Sequence, residues 1–172
     1  MKIFLNAGHG GPDPGAVSKS GLKEKDVTKR ICEILAEKLR HFGIEVIEFQ
    51  EQNSYFEISK AENKSGADLF VSVHCNSFSS AAACGVETCY FPTSTNGKRL
   101  AGCIQKGLIN YTGLVDRGCK MRRDLHVLKA TKAPAVLVET AFISNPEEEK
   151  LLKNKPEIFA DGIFAGIKDY IS

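Results

Sequence analysis

The feature that most restricts this chain is an alternation of two periods. Short apolar runs rich in β-branched residues take turns with amphipathic stretches whose apolar positions fall three and four apart. That pattern is the signature of βαβ units built around a largely parallel sheet with helices on both faces. The first run, at 2–6, leads into a glycine- and proline-rich loop. Val27, Ile31, Ile34, Leu35, Leu39 and Phe42 then mark one buried stripe of a helix over 24–42, which Gly43 is placed to end. A strand is expected at 45–49 and a weaker helix at 55–65. Leu69-Phe70-Val71-Ser72-Val73-His74 is nearly continuous apolar chain, as befits a strand covered on both faces. Strands at 85–91 and 135–139 follow, separated by a helix marked by Leu100, Ile104, Leu108 and Tyr111. Asn145-Pro146-Glu147-Glu148 has a capping side chain, a proline at the first helical position and acids in the first turn, so it starts a helix. Ile158, Phe159, Ile163 and Ile167 form the closing one.

At 172 residues, with 42% hydrophobic and 26% charged side chains, the chain reads as one α/β domain over 1–172, monomeric by default. Disorder and fibrous repeats are excluded by the same balance. A net charge of +2, with no basic run interleaved with aromatics and Arg122-Arg123 too short a cluster, argues against a nucleic-acid surface. No window approaches the ~18 apolar residues of a membrane span. The opening segment reads as a first strand and not as a signal peptide, so synthesis in the cytoplasm is expected. Six cysteines lie mostly in apolar segments with no CxxC pair, and free thiols are expected.

Four side chains stand where the strands and helices deliver them. His9 follows the first strand in Gly8-His9-Gly10-Gly11, Glu24 opens the first long helix, His74 ends the third strand and Glu139 ends the last strong one. Ligands in open α/β sheets bind beyond the carboxyl ends of the strands, so all four can meet at one edge. Two imidazoles and a carboxylate, with a fourth position for water, are the ligand set of a catalytic zinc centre, and imidazole disfavours magnesium or calcium. A second carboxylate beside such a centre can take a proton from the water and return it to a departing amine.

Each residue also has a bland reading. His9 taken alone is a turn histidine, and Glu24 a solvated helix-start charge. His74 and Glu139 are harder to dismiss, because each is a polar group ending an apolar strand and would be buried at a cost of several kcal/mol without a partner. His41 suits a helix C-terminus, and His126 in Asp124-Leu125-His126-Val127-Leu128 reads as a surface histidine, with a pocket-lining position as the alternative. A His74–Cys75 hydrolase pair is disfavoured, because neighbouring strand residues point to opposite faces.

The blocks Asn6-Ala7-Gly8-His9-Gly10-Gly11, Asp13-Pro14-Gly15-Ala16, Glu24-Lys25-Asp26-Val27, 67–76, Asp116-Arg117-Gly118, 134–139 and Phe142-Ile143-Ser144-Asn145-Pro146 follow one another across nearly the whole chain. In that order the chain resembles the zinc-dependent N-acetylmuramoyl-L-alanine amidases of bacterial cell walls. The resemblance implies that His9, Glu24 and His74 hold one zinc ion and that Glu139 is the catalytic carboxylate. It further implies hydrolysis of the amide between the muramic acid lactyl group and L-alanine of peptidoglycan, as in an endolysin released at lysis or an autolysin domain of a longer secreted protein. Alternatives are another zinc peptidase acting on stem peptides and a non-catalytic wall-binding module. Asn6-Ala7 stands where the family usually has Asp-Pro, and the 58–63 stretch lacks the family's frequent arginine. Asn76, Arg117 and the loop at 77–84 are expected in the substrate groove from their place near the site.

Overall fold

The structure, a computed structural model, describes residues 1–50 and 54–172. Strands β1 (Lys2–Ala7), β2 (Glu45–Phe49), β3 (Leu69–Asn76), β4 (Val86–Tyr90), β5 (Asp116–Met121) and β6 (Ala135–Phe142) form one sheet in the order β2-β1-β3-β6-β4-β5. β2, β1, β3 and β6 are mutually parallel. β4 runs antiparallel to β6, and β5 is parallel to β4. The sheet is therefore mixed, with two strands reversed at one side. The chain between β3 and β4 contains no helix to carry it back along the sheet, so it returns in the opposite direction.

Period-two alternation splits the strand residues between two apolar layers. Ile3, Leu5, Val71, Val73, Val136 and Val138 face helices α1 (Glu24–His41), α3 (Thr95–Thr112) and α6 (Pro156–Ile171), whose buried stripes close the larger layer. Phe4, Phe70, Cys89, Ala135 and Leu137 face the shorter helices α2 (Tyr55–Ser65) and α4 (His126–Ala130). In α1 Val27, Ile31, Leu35 and Leu39 are buried as expected, with Lys38, Arg40 and His41 at the cationic end, but Phe42, expected in the same stripe, caps the helix past its last turn and is exposed. The helix α5 (Pro146–Asn154) starts as expected, with Asn145 accepting from the backbone N–H groups of Glu147 and Glu148. Glu148 has a use that its position in a first turn does not advertise. Buried, it accepts from the backbone N–H of Gly85 and of Phe142, each at 2.6 Å, and ties the start of β4 to the end of β6.

No helix among the described residues is long and apolar enough to cross a membrane. All six cysteines are unbridged, and burial pushes the Cys32, Cys75 and Cys89 thiols up, Cys89 to about 12.

Candidate metal centre

β1 delivers its chain end into the Gly8-His9-Gly10-Gly11 turn. There His9 has φ 63°, the one positive value outside glycine among the described residues. A β-carbon in that region costs energy and persists where the surroundings over-determine it. Here the surroundings do. Asp13, brought back by paired backbone hydrogen bonds with Gly10, places its Oδ2 2.7 Å from His9 Nδ1. With Nδ1 held by Asp13, His9 presents Nε2, its other ring nitrogen, to Glu24.

Glu24, at the first turn of α1, is buried and not a solvated charge. Its Oε2 accepts the Ala16 backbone N–H and its Oε1 that of Cys75, each at 2.9 Å. His9 Nε2 lies 3.2 Å from Oε2, and His74 Nδ1 lies 3.2 Å from Oε1. Burial works against ionising this carboxyl, but the hydrogen bonds from His74 and His9 outweigh it and hold Glu24 well below the usual carboxylate range. Conversely the Glu24 carboxylate, joined by Asp13 and opposed by burial, lifts the His9 imidazole to about 9. The site attracts positive charge.

Whether a metal fits can be tested on spacing. Ligand atoms at about 2.0–2.1 Å from a tetrahedral ion stand about 3.3 Å from one another. His9 Nε2 stands 3.2 Å from Glu24 Oε2 and His74 Nδ1 stands 3.2 Å from Glu24 Oε1, and one donor atom from each of His9, Glu24 and His74 lies within 4.8 Å of the others. The room is kept by glycine. A β-carbon on Gly15, itself at φ 66°, would stand 2.6 Å from His9 Cδ2 and 2.7 Å from Glu24 Oε2. The three residues fit a metal ion.

Glu139 faces His74 across the β3–β6 pair and Glu87 across the β4–β6 pair. Immediately beyond, the register slips between His74 and Asn76, a bulge of the kind found beside active sites. Glu139 Oε2 is buried without a hydrogen-bond partner, alone in this among the described residues. Burial, partly offset by His74 and reinforced by Glu24 and Glu87, pushes its carboxyl up to about 7. An unpartnered buried oxygen costs about 1–3 kcal/mol and marks a group kept for something that arrives later.

His9, His74 and Glu139 open onto a cleft of about 260 Å³ on the α2/α4 face. Asn6, Ser72 and Leu137 form its floor, Tyr55 and Ile58 one wall, and the 124–127 segment another. Asn6 donates from Nδ2 to Ser72 Oγ at 2.8 Å, so at this departure from the family's Asp-Pro the asparagine is part of the floor. Ile58 lies in the stretch without the family's frequent arginine and gives an apolar wall. Asn76 and Arg117 do not line this cleft. Asn76 Oδ1 accepts from the Ser77 N–H, and Arg117 pairs with Glu87 at 2.8 Å over the Phe142 ring. The 77–84 loop is likewise outside the lining, held to the 144–145 turn by Phe78 N–H and Ala83 O. Two residues do more at the site than the sequence reading gave them. Asp13 follows His9 by four with a glycine pair between, which is a readable sign of an imidazole held by an acid. His126 lines the cleft, the alternative to the surface position that its sequence context favours.

An open α/β sheet carrying a two-histidine, one-carboxylate cluster and a second acid at its carboxyl edge defines a metal-dependent hydrolase. The chain belongs to the N-acetylmuramoyl-L-alanine amidase family, whose profile matches residues 3–169. It is 38% identical over 156 residues to the N-acetylmuramoyl-L-alanine amidase LytC of Bacillus subtilis, covering 88% of this chain but 31% of that protein. It is 36% identical over 183 residues to the endolysin of Bacillus phage SPP1, covering 99% of this chain and 66% of the endolysin. Among solved structures, the N-acetylmuramoyl-L-alanine amidase from Clostridium difficile 630 superposes with a TM-score of 0.92 at 32% identity, covering 99% of this chain and 96% of that one.

Proposed function

We propose that this chain hydrolyses the amide between the lactyl group of N-acetylmuramic acid and the L-alanine of peptidoglycan stem peptides, with 1–172 acting as one catalytic domain at the cell wall. The observation that carries this reading is the meeting of His9, Glu24 and His74 beside the unpartnered Glu139 Oε2, in a chain of the amidase family. His9, Glu24 and His74 would hold a zinc ion, since two imidazoles disfavour the all-oxygen cations. Bound there, zinc acidifies a water toward neutral pH and polarises the scissile carbonyl.

Glu139 takes the attacking water's proton at Oε2 and passes it to the departing alanine nitrogen. A carboxylate within hydrogen-bond reach of that water can do both, as base in the attack and as acid toward the leaving group. Asp13 keeps the His9 ring turned so that Nε2 faces inward. The amides of Ala16 and Cys75 hold the Glu24 carboxylate in place. Leu137, Ile58 and Val127 limit water in the cleft, which strengthens every charge interaction inside it.

The test is mass analysis of purified walls after digestion with the zinc-supplied protein. Release of intact stem peptides with a new N-terminal alanine, from uncut glycan strands, is the expected result. Stem peptides shortened at an internal bond would instead assign a peptidase.

A further inference from the structure

Tyr55 and Phe56 open helix α2 and are 54% and 72% exposed, Phe56 being the most exposed large apolar side chain among the described residues. Scattered exposed apolar groups need no explanation, but an adjacent aromatic pair at the mouth of a cleft does. Tyr55 and Ile58, one helical turn apart, line the same cleft as His9, His74 and Glu139. Phe56 lies against the imidazole of His126, ring centroids 4.4 Å apart and planes at 49°, and His126 lines that cleft too. His126 Nε2 is 3.3 Å from Ser59 Oγ, and the same hydroxyl reaches the Tyr55 and Phe56 carbonyls at 3.0 and 3.1 Å. The wall is thus held in shape before anything binds, which lowers the ordering cost of recognition.

Exposed Phe42 offers a contrast. It packs edge-on against Phe164 with Lys168 over it, on the α1/α6 side away from the cleft.

The chemistry of a muramoyl amide decides what this wall meets. Three single bonds separate the scissile carbonyl carbon from the sugar ring, through one carbon and one ether oxygen, so the ring begins roughly 4 Å from the reacting carbon. With the carbonyl beside Glu139, the ring has to lie against the residues lining the cleft. A pyranose presents C–H groups on its faces and hydroxyls around its edge, which suits a flat aromatic surface with a polar margin. The rings of Tyr55 and Phe56 carry no charge to attract the ionised ends of a stem peptide.

We propose that Tyr55, Phe56 and His126 form a sugar platform that takes the glycan strand, the muramoyl ring against Tyr55 and His126 and the adjoining N-acetylated sugar over Phe56. This rests on the amidase reading of the site. It makes the glycan, and not only the peptide, a determinant of substrate choice.

Calorimetry on the zinc-supplied protein tests it with two separate probes, peptide-free glycan strands and free stem peptides. Phe56→Ala and Tyr55→Ala are expected to weaken glycan binding by roughly tenfold each, as loss of a central aromatic contact does, with stem-peptide binding unaltered. Phe56→Trp should restore it. Tyr111→Ala, removing an exposed aromatic on α3, is the control for unspecific stickiness. Unaltered glycan affinity in Phe56→Ala, or weakening confined to the stem peptide, overturns the platform. Wild-type protein that frees no stem peptide from walls overturns the amidase reading instead, and the two failures are read from different assays.

Discussion

The two faces of the sheet are built for different ends. Under α1, α3 and α6 the layer is long, dry and closed, with Ile31, Leu35, Leu39, Leu100, Ile104, Leu108, Phe159 and Ile163 fully buried. Under α2 and α4 the cover is short, α4 having five residues, and beyond its small apolar cluster the sheet surface carries Asn6, Ser72 and Glu139 into an open cleft. The first face supplies stability, and the second supplies a place where polar groups can remain incompletely satisfied. Glu24 joins them. It stands on a helix of the thick face yet extends its carboxylate to His9 and His74 at the edge.

If the division is real, removing the metal should abolish chemistry while leaving the fold. Chelation is expected to stop wall digestion completely, with far-ultraviolet circular dichroism unchanged and activity returning on addition of zinc. Collapse of the dichroism on chelation would show that the site also holds the sheet together. Next in size, Glu139→Gln should lower kcat on purified walls by about 10³-fold, in the range for a lost general acid–base. Activity within tenfold of wild type would remove Glu139 from proton transfer.

Core substitutions sharpen the same contrast. Phe159→Ala, in the closed layer, should cost about 3–5 kcal/mol of unfolding free energy in urea, whereas Ile58→Ala, beside the cleft where the void can fill with water, should cost less, about 2 kcal/mol. Equal losses would mean that the thin face is as tightly packed as the thick one. Asp13→Asn, which keeps the shape of the group but removes the charge beside His9 Nδ1, should weaken zinc affinity about 10–100-fold by competitive chelation, with little change in melting temperature.

The smallest effect concerns opening. Cys89 lies in the thin-face cluster and Cys32 and Cys75 in the thick-face one, all three thiols raised by burial. Of these three buried thiols, alkylation of the native protein should reach Cys89 first, by a few-fold in rate, because local opening is easier under a five-residue helix.

What could be read beforehand follows from where periodicity is strong. β1, α1, β3 and β6 announce themselves because they are buried along a face or on both sides. β5 does not. Asp116-Arg117-Gly118-Cys119-Lys120-Met121 is an edge strand with mostly exposed side chains, so no apolar period survives in it. The reversal of β4 is equally silent, since an alternating pattern looks the same read in either direction. At the site, His74 and Glu139 were legible as polar ends of apolar runs. Glu24 was not, taken alone, because an acid in a helix's first turn is ordinary, and what makes it unusual is the amides of Ala16 and Cys75, eight and fifty-one residues away. For a similar reason the sequence favours a surface position for His126 over the cleft position it takes. Its partners Phe56 and Ser59 are remote in sequence and come from a helix whose own period is weak.

Zinc content across single substitutions tests the central claim most directly. Elemental analysis should find about one ion per chain in the wild type and in Glu139→Gln, and little in His9→Ala, Glu24→Ala or His74→Ala with the fold intact. Stoichiometric zinc in folded His74→Ala, or its loss from Glu139→Gln, would contradict the assignment of three residues to the metal and the fourth to the proton.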